Sequence, residues 1–169
     1  DIPAHVESNT GYFSSYEIQV ILSMLRILDN PLQDIPMAAV LASPIVGMDD
    51  EELAQIRSAF KGVSFAQAAL SAMAGENGYE DEKLKAFALV FERLRGAVAD
   101  TPIHELLYMM LDETGFYRYA SAMPAGKRRR QNIDMLIEMA AAYEKTSYKG
   151  LFHFVRYVDI QQKYEIDYG

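Results

Sequence analysis

Lys127-Arg128-Arg129-Arg130 is the one run of positive charge in this sequence, and it follows Met123-Pro124-Ala125-Gly126 at a predicted helix start. Cations at that place face the positive end of a helix dipole, so the cluster is unfavourable unless acids or an anion offset it. Two readings stay open. One is a solvated charged turn; the other is a corner where side chains and helix-start N–H groups hold a phosphate backbone. Asp134 lies four residues beyond Arg130, a spacing that offsets part of the repulsion. Arg129 and Asn132 share a face that flanks the apolar stripe and are assigned to internal hydrogen bonding. Lys127, Arg128 and Arg130 are then left to point outward, as the candidates for phosphate contact.

Other chemistry is thin. His5, His104 and His153 lie far apart and suggest no metal site. Asp49-Asp50-Glu51-Glu52 and Glu80-Asp81-Glu82 coincide with predicted helix starts, where negative charge is already favourable, so a cation is not needed to explain them. No G-x-x-x-x-G-K-[ST] loop, dinucleotide fingerprint, G-x-S-x-G elbow or H-E-x-x-H pair occurs. With 0 cysteines there is no thiol nucleophile and no disulfide scaffold. No catalytic residue is predicted, and no cofactor or metal site.

The elements that position the basic run are helical. From Tyr16 to Arg57 the chain has its longest early amphipathic pattern and its densest stop and start signals. Ile18, Ile21, Leu22, Leu25, Leu28 and Asp29 recur at helical spacing along one stripe, and Ser14 with Glu17 reads as a capping box. Asn30-Pro31 stops that helix, Asp34 is placed to cap a short second one through Met37, Val40 and Leu41, and Ser43-Pro44 ends it. Asp49 with Glu52 opens a third. Ser64 with Gln67 opens an alanine-rich fourth whose small residues imply close packing. Ala74 to Glu82 is the interior loop. Leu84, Phe87, Phe91, Leu94 and Val98 mark the face of a core helix, and Thr101-Pro102 supplies an N-cap and first-turn proline for a helix ending at Gly115. Phe116 to Ala120 reads as a short helix or turn. A long helix then carries Ile133, Leu136, Ile137, Ala140 and Ala141, and the last begins near Lys149. Residues 1–13 read as a loop. No stretch alternates with period two, so the class is all-α with about seven or eight helices.

A chain of 169 residues is long enough for one domain, 1–169, with a self-sufficient core. Half the residues are hydrophobic, with Tyr 11, Phe 8 and Met 9, which excludes a disordered chain. Most of these aromatics fall at core spacing; Tyr12-Phe13, Phe116-Tyr117 and Tyr157 are expected to close the ends of the bundle. No apolar run approaches the length of a membrane span and no export signal is visible, so a cytoplasmic protein without membrane contact is expected. The formal charge of -8 means that any nucleic-acid contact must be local. The loop-like start at Asp1 and the end at Gly169 read as the edges of a piece from a longer chain.

The run LRILDNPLQDIPMAAVLASPIVGMDDEELAQIR resembles the accessory domain of the AddA (RexA) subunit of bacterial ATP-dependent helicase-nucleases, relatives of RecB. GYFSSYEIQVILSMLRILDNP resembles the opening of that domain. PAGKRRRQNIDML is similar to its Gly, Arg and Asn segment, with Gly126, Arg129 and Asn132 in the matching places, and KGLFHFVRYVDIQQK to its closing helix. Asn30, Pro31, Asp34, Pro36, Ser43 and Pro44 carry the most distinctive part. At Ala42 the family commonly has arginine, which counts against a phosphate site just before Ser43-Pro44. The resemblance implies a non-catalytic, 2B-like helical insertion in a superfamily 1 helicase motor. Its parent would be an ATP- and Mg-dependent enzyme that unwinds and resects double-strand breaks for recombinational repair. The implied partners are DNA, the flanking motor domains and an AddB-type partner subunit, and the resemblance favours the reading of the basic cluster in which Lys127, Arg128 and Arg130 touch the DNA backbone. A stand-alone acidic interaction module is the alternative. An insertion also needs its ends together, so Asp1 and Gly169 are expected on one side of the fold.

Overall fold

Helix α1 (Tyr16–Asp29) is apolar around nearly its whole circumference, and such a helix must be enclosed. Besides the predicted stripe, Val20, Met24 and Ile27 are also buried, so the single-face expectation is too narrow. In the computed structural model, which describes residues 11–146 and 150–168, α1 is the axis on which α2 (Asp34–Ala42), α5 (Glu82–Ala97), α8 (Gly126–Thr146) and α9 (Leu151–Tyr168) pack. The remaining helices are α3 (Asp50–Ala59), α4 (Phe65–Met73), α6 (Ile103–Thr114) and α7 (Phe116–Ala122). The described residues thus hold nine α-helices and no strand, in one all-α domain. The excess over seven or eight is α7, the segment that sequence leaves between helix and turn. Residues 1–10, 147–149 and 169 lie outside the description, and with them the expected placement of Asp1 and Gly169 and most of the leading loop; the last helix, expected to begin near Lys149, starts at Leu151.

The corners between α1 and α3 hydrogen-bond internally. Asn30 Oδ1 accepts from the Leu32 N–H at 3.0 Å, and Gln33 Nε2 donates to the Arg26 and Asn30 carbonyls at 2.9 and 2.8 Å. The end of α1 is thereby satisfied by side chains. Pro31 follows the stop, and Pro36 sits in the first turn of α2, where a missing N–H is harmless. Buried Ser43 donates to the Val40 carbonyl at 2.7 Å and accepts from the Ile45 N–H at 3.1 Å, closing the turn that holds Pro44. Asp49 and Glu52 form the full reciprocal capping box of α3. Four alanines of α4 (Ala66, Ala68, Ala69 and Ala72) are buried against neighbouring helices, as their size predicts.

Three expected caps differ. Glu17 does not reach back to Ser14, because its carboxylate is engaged elsewhere, and α1 starts after Ser15 without a side-chain cap. Asp34 does not cap α2; its Oδ1 accepts from the Ala66 N–H of α4 at 2.9 Å. Thr101 does not cap α6. Glu144 of α8 does so instead, accepting from the Ile103 and His104 N–H groups at 2.6 and 3.3 Å and lying 2.9 Å from His104 Nδ1. In each case a carboxylate reaches a partner on another element, since a charged acceptor binds a helix-start N–H or a buried donor more strongly than a hydroxyl does. Val98 also leaves the face of α5, lying half-buried in a terminal 3₁₀ turn.

Glu144 makes acid stability testable. Burial pushes its carboxyl upward, but the bonds from His104 and the two N–H groups outweigh this and bring its pKa below the ordinary 4.5. A folded-state value below the unfolded one gives stability that is complete above the unfolded value and lost as pH falls through the folded one. Glu144→Gln is therefore expected to lower unfolding free energy by about 1–2 kcal/mol near neutral pH and to flatten the pH dependence on the acid side of 4.5. Urea titrations at several pH values check this; parallel acid limbs for both proteins would contradict it.

Candidate nucleic-acid interface

The basic run begins α8, and its position is set by the tight junction behind it. Helix α7 ends at Ala122, and Ala125 takes a left-handed φ of 62° before Gly126 starts α8. A Cβ on Gly126 would lie 1.9 Å from the Ser121 carbonyl oxygen, so the two helices meet backbone to backbone. Only glycine allows that approach.

Arg129 and Asn132 turn inward. Arg129 Nη1 donates to Glu17 Oε1 at 2.7 Å and its Nε to the Pro124 carbonyl at 2.8 Å. Asn132 Nδ2 donates to Glu17 Oε2 at 2.7 Å, and the Tyr12 hydroxyl donates to the Asn132 carbonyl at 3.1 Å. Glu17 is 1% exposed. Burying a carboxylate requires that both oxygens be satisfied, and here one cation and one amide do so. The Tyr12 phenol is pushed upward in pKa by burial, then by Glu17 and Glu165. This network bolts the first turn of α1 to the first turns of α8.

Lys127 and Arg128 are exposed, and Arg130 is half-buried. No hydrogen bond or ion pair within 4.0 Å engages these three among the described residues. The expected Arg130–Asp134 pair does not close. Asp134 instead accepts from the Tyr117 hydroxyl at 3.3 Å, and Tyr117, raised in pKa by burial and then by Asp134, also has Arg130 close enough to favour its ionisation. The phosphate candidates therefore share one corner, with Gly126, Arg129 and Asn132 beneath it. Asn30, Pro31, Asp34, Pro36, Ser43 and Pro44 do not join them. They begin at the far end of α1, about 20 Å away by helix rise, and their polar groups are used in corner geometry and packing between helices.

Sequence reasoning misses two features. Glu17 reads locally as part of a capping box, and nothing local can reveal partners more than a hundred residues away. Arg118, exposed on α7, is a further cation close to the run in sequence, and a signal for it exists: from Gly115 to Ile133 the sequence has no Asp or Glu. In a chain of net charge -8 that stretch is the place where positive potential concentrates.

Neither α8 nor any other described helix is long and apolar enough to cross a membrane, and the described residues bring no three His, Asp or Glu side chains into a metal-holding group. No family model matches the chain. Among curated proteins it is 41% identical over 171 residues to the ATP-dependent helicase/nuclease A subunit of Anoxybacillus flavithermus, covering 100% of the chain and 14% of the relative. The protein of that name in Bacillus cytotoxicus is 41% identical over 94% of the chain and 13% of its own length; that of Bacillus velezensis is 37% identical over 99% and 14%. The chain thus spans about 14% of the length of the relatives it matches. Similarity of this degree along the whole chain makes it a domain of the AddA family, the A subunits of ATP-dependent helicase/nucleases.

Proposed function

We propose that this domain is a non-catalytic accessory body, 2B-like, inserted in the motor of a cytoplasmic helicase-nuclease subunit. It guides DNA while the rest of the parent chain unwinds and resects broken ends for recombinational repair. ATP and magnesium belong to that remainder in this reading; no phosphate-binding loop occurs in the present sequence. The observation that carries it is the basic corner: Lys127, Arg128 and Arg130, without an ion-pair partner among the described residues, in the first turns of one helix of an acidic domain, beside a buried Glu17–Arg129–Asn132 anchor. A rigid anchor under free cations suits repeated contact with a phosphate backbone, because little side-chain order is lost at the base of the contact.

Replacing Lys127, Arg128 and Arg130 together by alanine in the parent enzyme is expected to reduce the slope of log affinity against log salt by about 2–3, since each lost phosphate contact releases close to one fewer counterion. An unchanged slope would remove the DNA-guiding role. Hydrolysis of ATP or cleavage of DNA by the isolated domain would remove the non-catalytic one.

A second surface supports contact with protein, whether the AddB-type partner or the flanking motor domains. Along α9, Phe152, Ile160 and Ile166 are 53%, 64% and 77% exposed. Aliphatic and aromatic side chains so open to water favour a covering surface.

A further inference from the structure

The α7–α8 corner displays two aromatic rings beside its cations. Tyr16, the first residue of α1, is 45% exposed, and Tyr119 on α7 is 51% exposed. Tyr16 and Arg128 line one open cleft of about 280 Å³, whose floor is Glu17, Arg129 and Asn132. The Tyr119 phenol lies near enough to Tyr16 to oppose its ionisation, after the larger effect of burial, while Arg129 favours it. Tyr16 thus stands over the anchor that holds the basic run, in one cleft with Arg128, and Tyr119 is exposed on the helix that leads into that run.

Phosphate contact alone explains the cations but not the rings. A cation needs only an oxygen to meet, whereas an aromatic face beside a cation is suited to an unstacked base, whose π-face every nucleotide offers. In a duplex those faces are covered by neighbouring bases; a single strand leaves them open. Tyr16 and Tyr119 also spend little side-chain entropy on such a contact, since a tyrosine has only two side-chain torsions to fix.

We propose that Tyr16 and Tyr119 form a stacking platform for the bases of single-stranded DNA whose phosphates run along Lys127 and Arg128. The assignment rests on the reading of the basic corner as a DNA contact, and names the strand type and the groups that take its bases. Stacking of this kind tolerates any sequence, so the platform would hold a strand without selecting it.

The test uses the full-length parent enzyme and a single-stranded oligothymidine carrying 5-iodouracil, which cross-links to an aromatic ring stacked on it when irradiated. Mass spectrometry is expected to place the adduct on the peptide holding Tyr16 or that holding Tyr119. Tyr16→Ala with Tyr119→Ala is expected to weaken binding of the strand on the order of tenfold or more, with the salt slope unchanged. Tyr16→Phe with Tyr119→Phe should bind as the parent does, because the ring and not the hydroxyl stacks. An abasic strand of the same length should bind the alanine pair and the parent equally. Adducts on neither peptide, or equal weakening for abasic and base-bearing strands, would overturn the platform. If that happens while the Lys127, Arg128 and Arg130 alanine variant still lowers the salt slope, the corner is a backbone contact only. If the tyrosines become protected solely when the partner subunit binds, the surface meets protein and the proposal fails.

Discussion

Glu17→Ala is expected to destabilise the domain by about 3–5 kcal/mol, enough to unfold a marginally stable chain at ordinary temperature. The loss is large because the carboxylate is buried and has no substitute. Removing it strands the Arg129 guanidinium and the Asn132 amide, whose bonds to Glu17 are both 2.7 Å, and leaves a cavity between α1 and α8. Arg129→Ala should cost at least as much, since it leaves the 2%-exposed Glu17 side chain with only the Asn132 bond, whereas the 23%-exposed Arg129 can turn to water when Glu17 is lost. The double variant is expected to be milder than the sum of the two singles, because once either charge is gone the other is only an unpaired burden. Urea midpoints of the four proteins measure the coupling. Additive effects, or a Glu17→Ala loss under about 1 kcal/mol, would mean that the network is ornamental.

Gly126→Ala is expected to destabilise by about 3 kcal/mol or more, from one added methyl group. The obstacle is the Ser121 carbonyl oxygen, 1.9 Å from where the Cβ must go, with the Ser121 carbonyl carbon at 2.8 Å. Neither is the end of a flexible side chain, so α8 must shift relative to α7. That shift moves Arg129 away from Glu17 and reorients the basic run. The adjacent position should respond in the opposite sense: Ala125 holds φ at 62°, and Ala125→Gly is expected to stabilise by a few tenths to about 1 kcal/mol by relieving left-handed strain. Thermal unfolding of the two single variants checks both signs. A neutral Gly126→Ala would show that the α7–α8 junction can open without consequence.

The two residues also restrain one geometry. Gly126 fixes the angle between α7 and α8, and Glu17 fixes the first turns of α8 against α1, so both set where Lys127, Arg128 and Arg130 stand. A conservative Arg129→Lys change would keep charge but lose the fork that reaches Glu17 and the Pro124 carbonyl together. It is expected to fall between wild type and Arg129→Ala in stability.

Local signals carry the helices well. The all-α class, the stop at Asn30, the Asp49–Glu52 box and the alanine packing of α4 are legible because each depends on residues within one or two turns. Short range also explains the misses: Ser14–Glu17, Asp34 and Thr101 look like local caps, and α7 is too short for periodicity to separate helix from turn. The basic run is plain by inspection, as is the family to which the chain belongs.

What the sequence determined by itself was the periodicity, the breakers and the segregation of charge, all properties of neighbouring residues. What tertiary structure decided was the partnership of side chains far apart in the chain. Glu17 meets Arg129 across 112 residues, Asp34 meets Ala66 across 32, and Glu144 meets Ile103 across 41. The physical reason is that a charged acceptor goes to whichever unsatisfied donor the packing buries beside it, and packing is a property of the whole set of apolar faces. The inward face of Arg129 and Asn132 was legible from helical spacing, but their shared partner, Glu17, was supplied only by that packing.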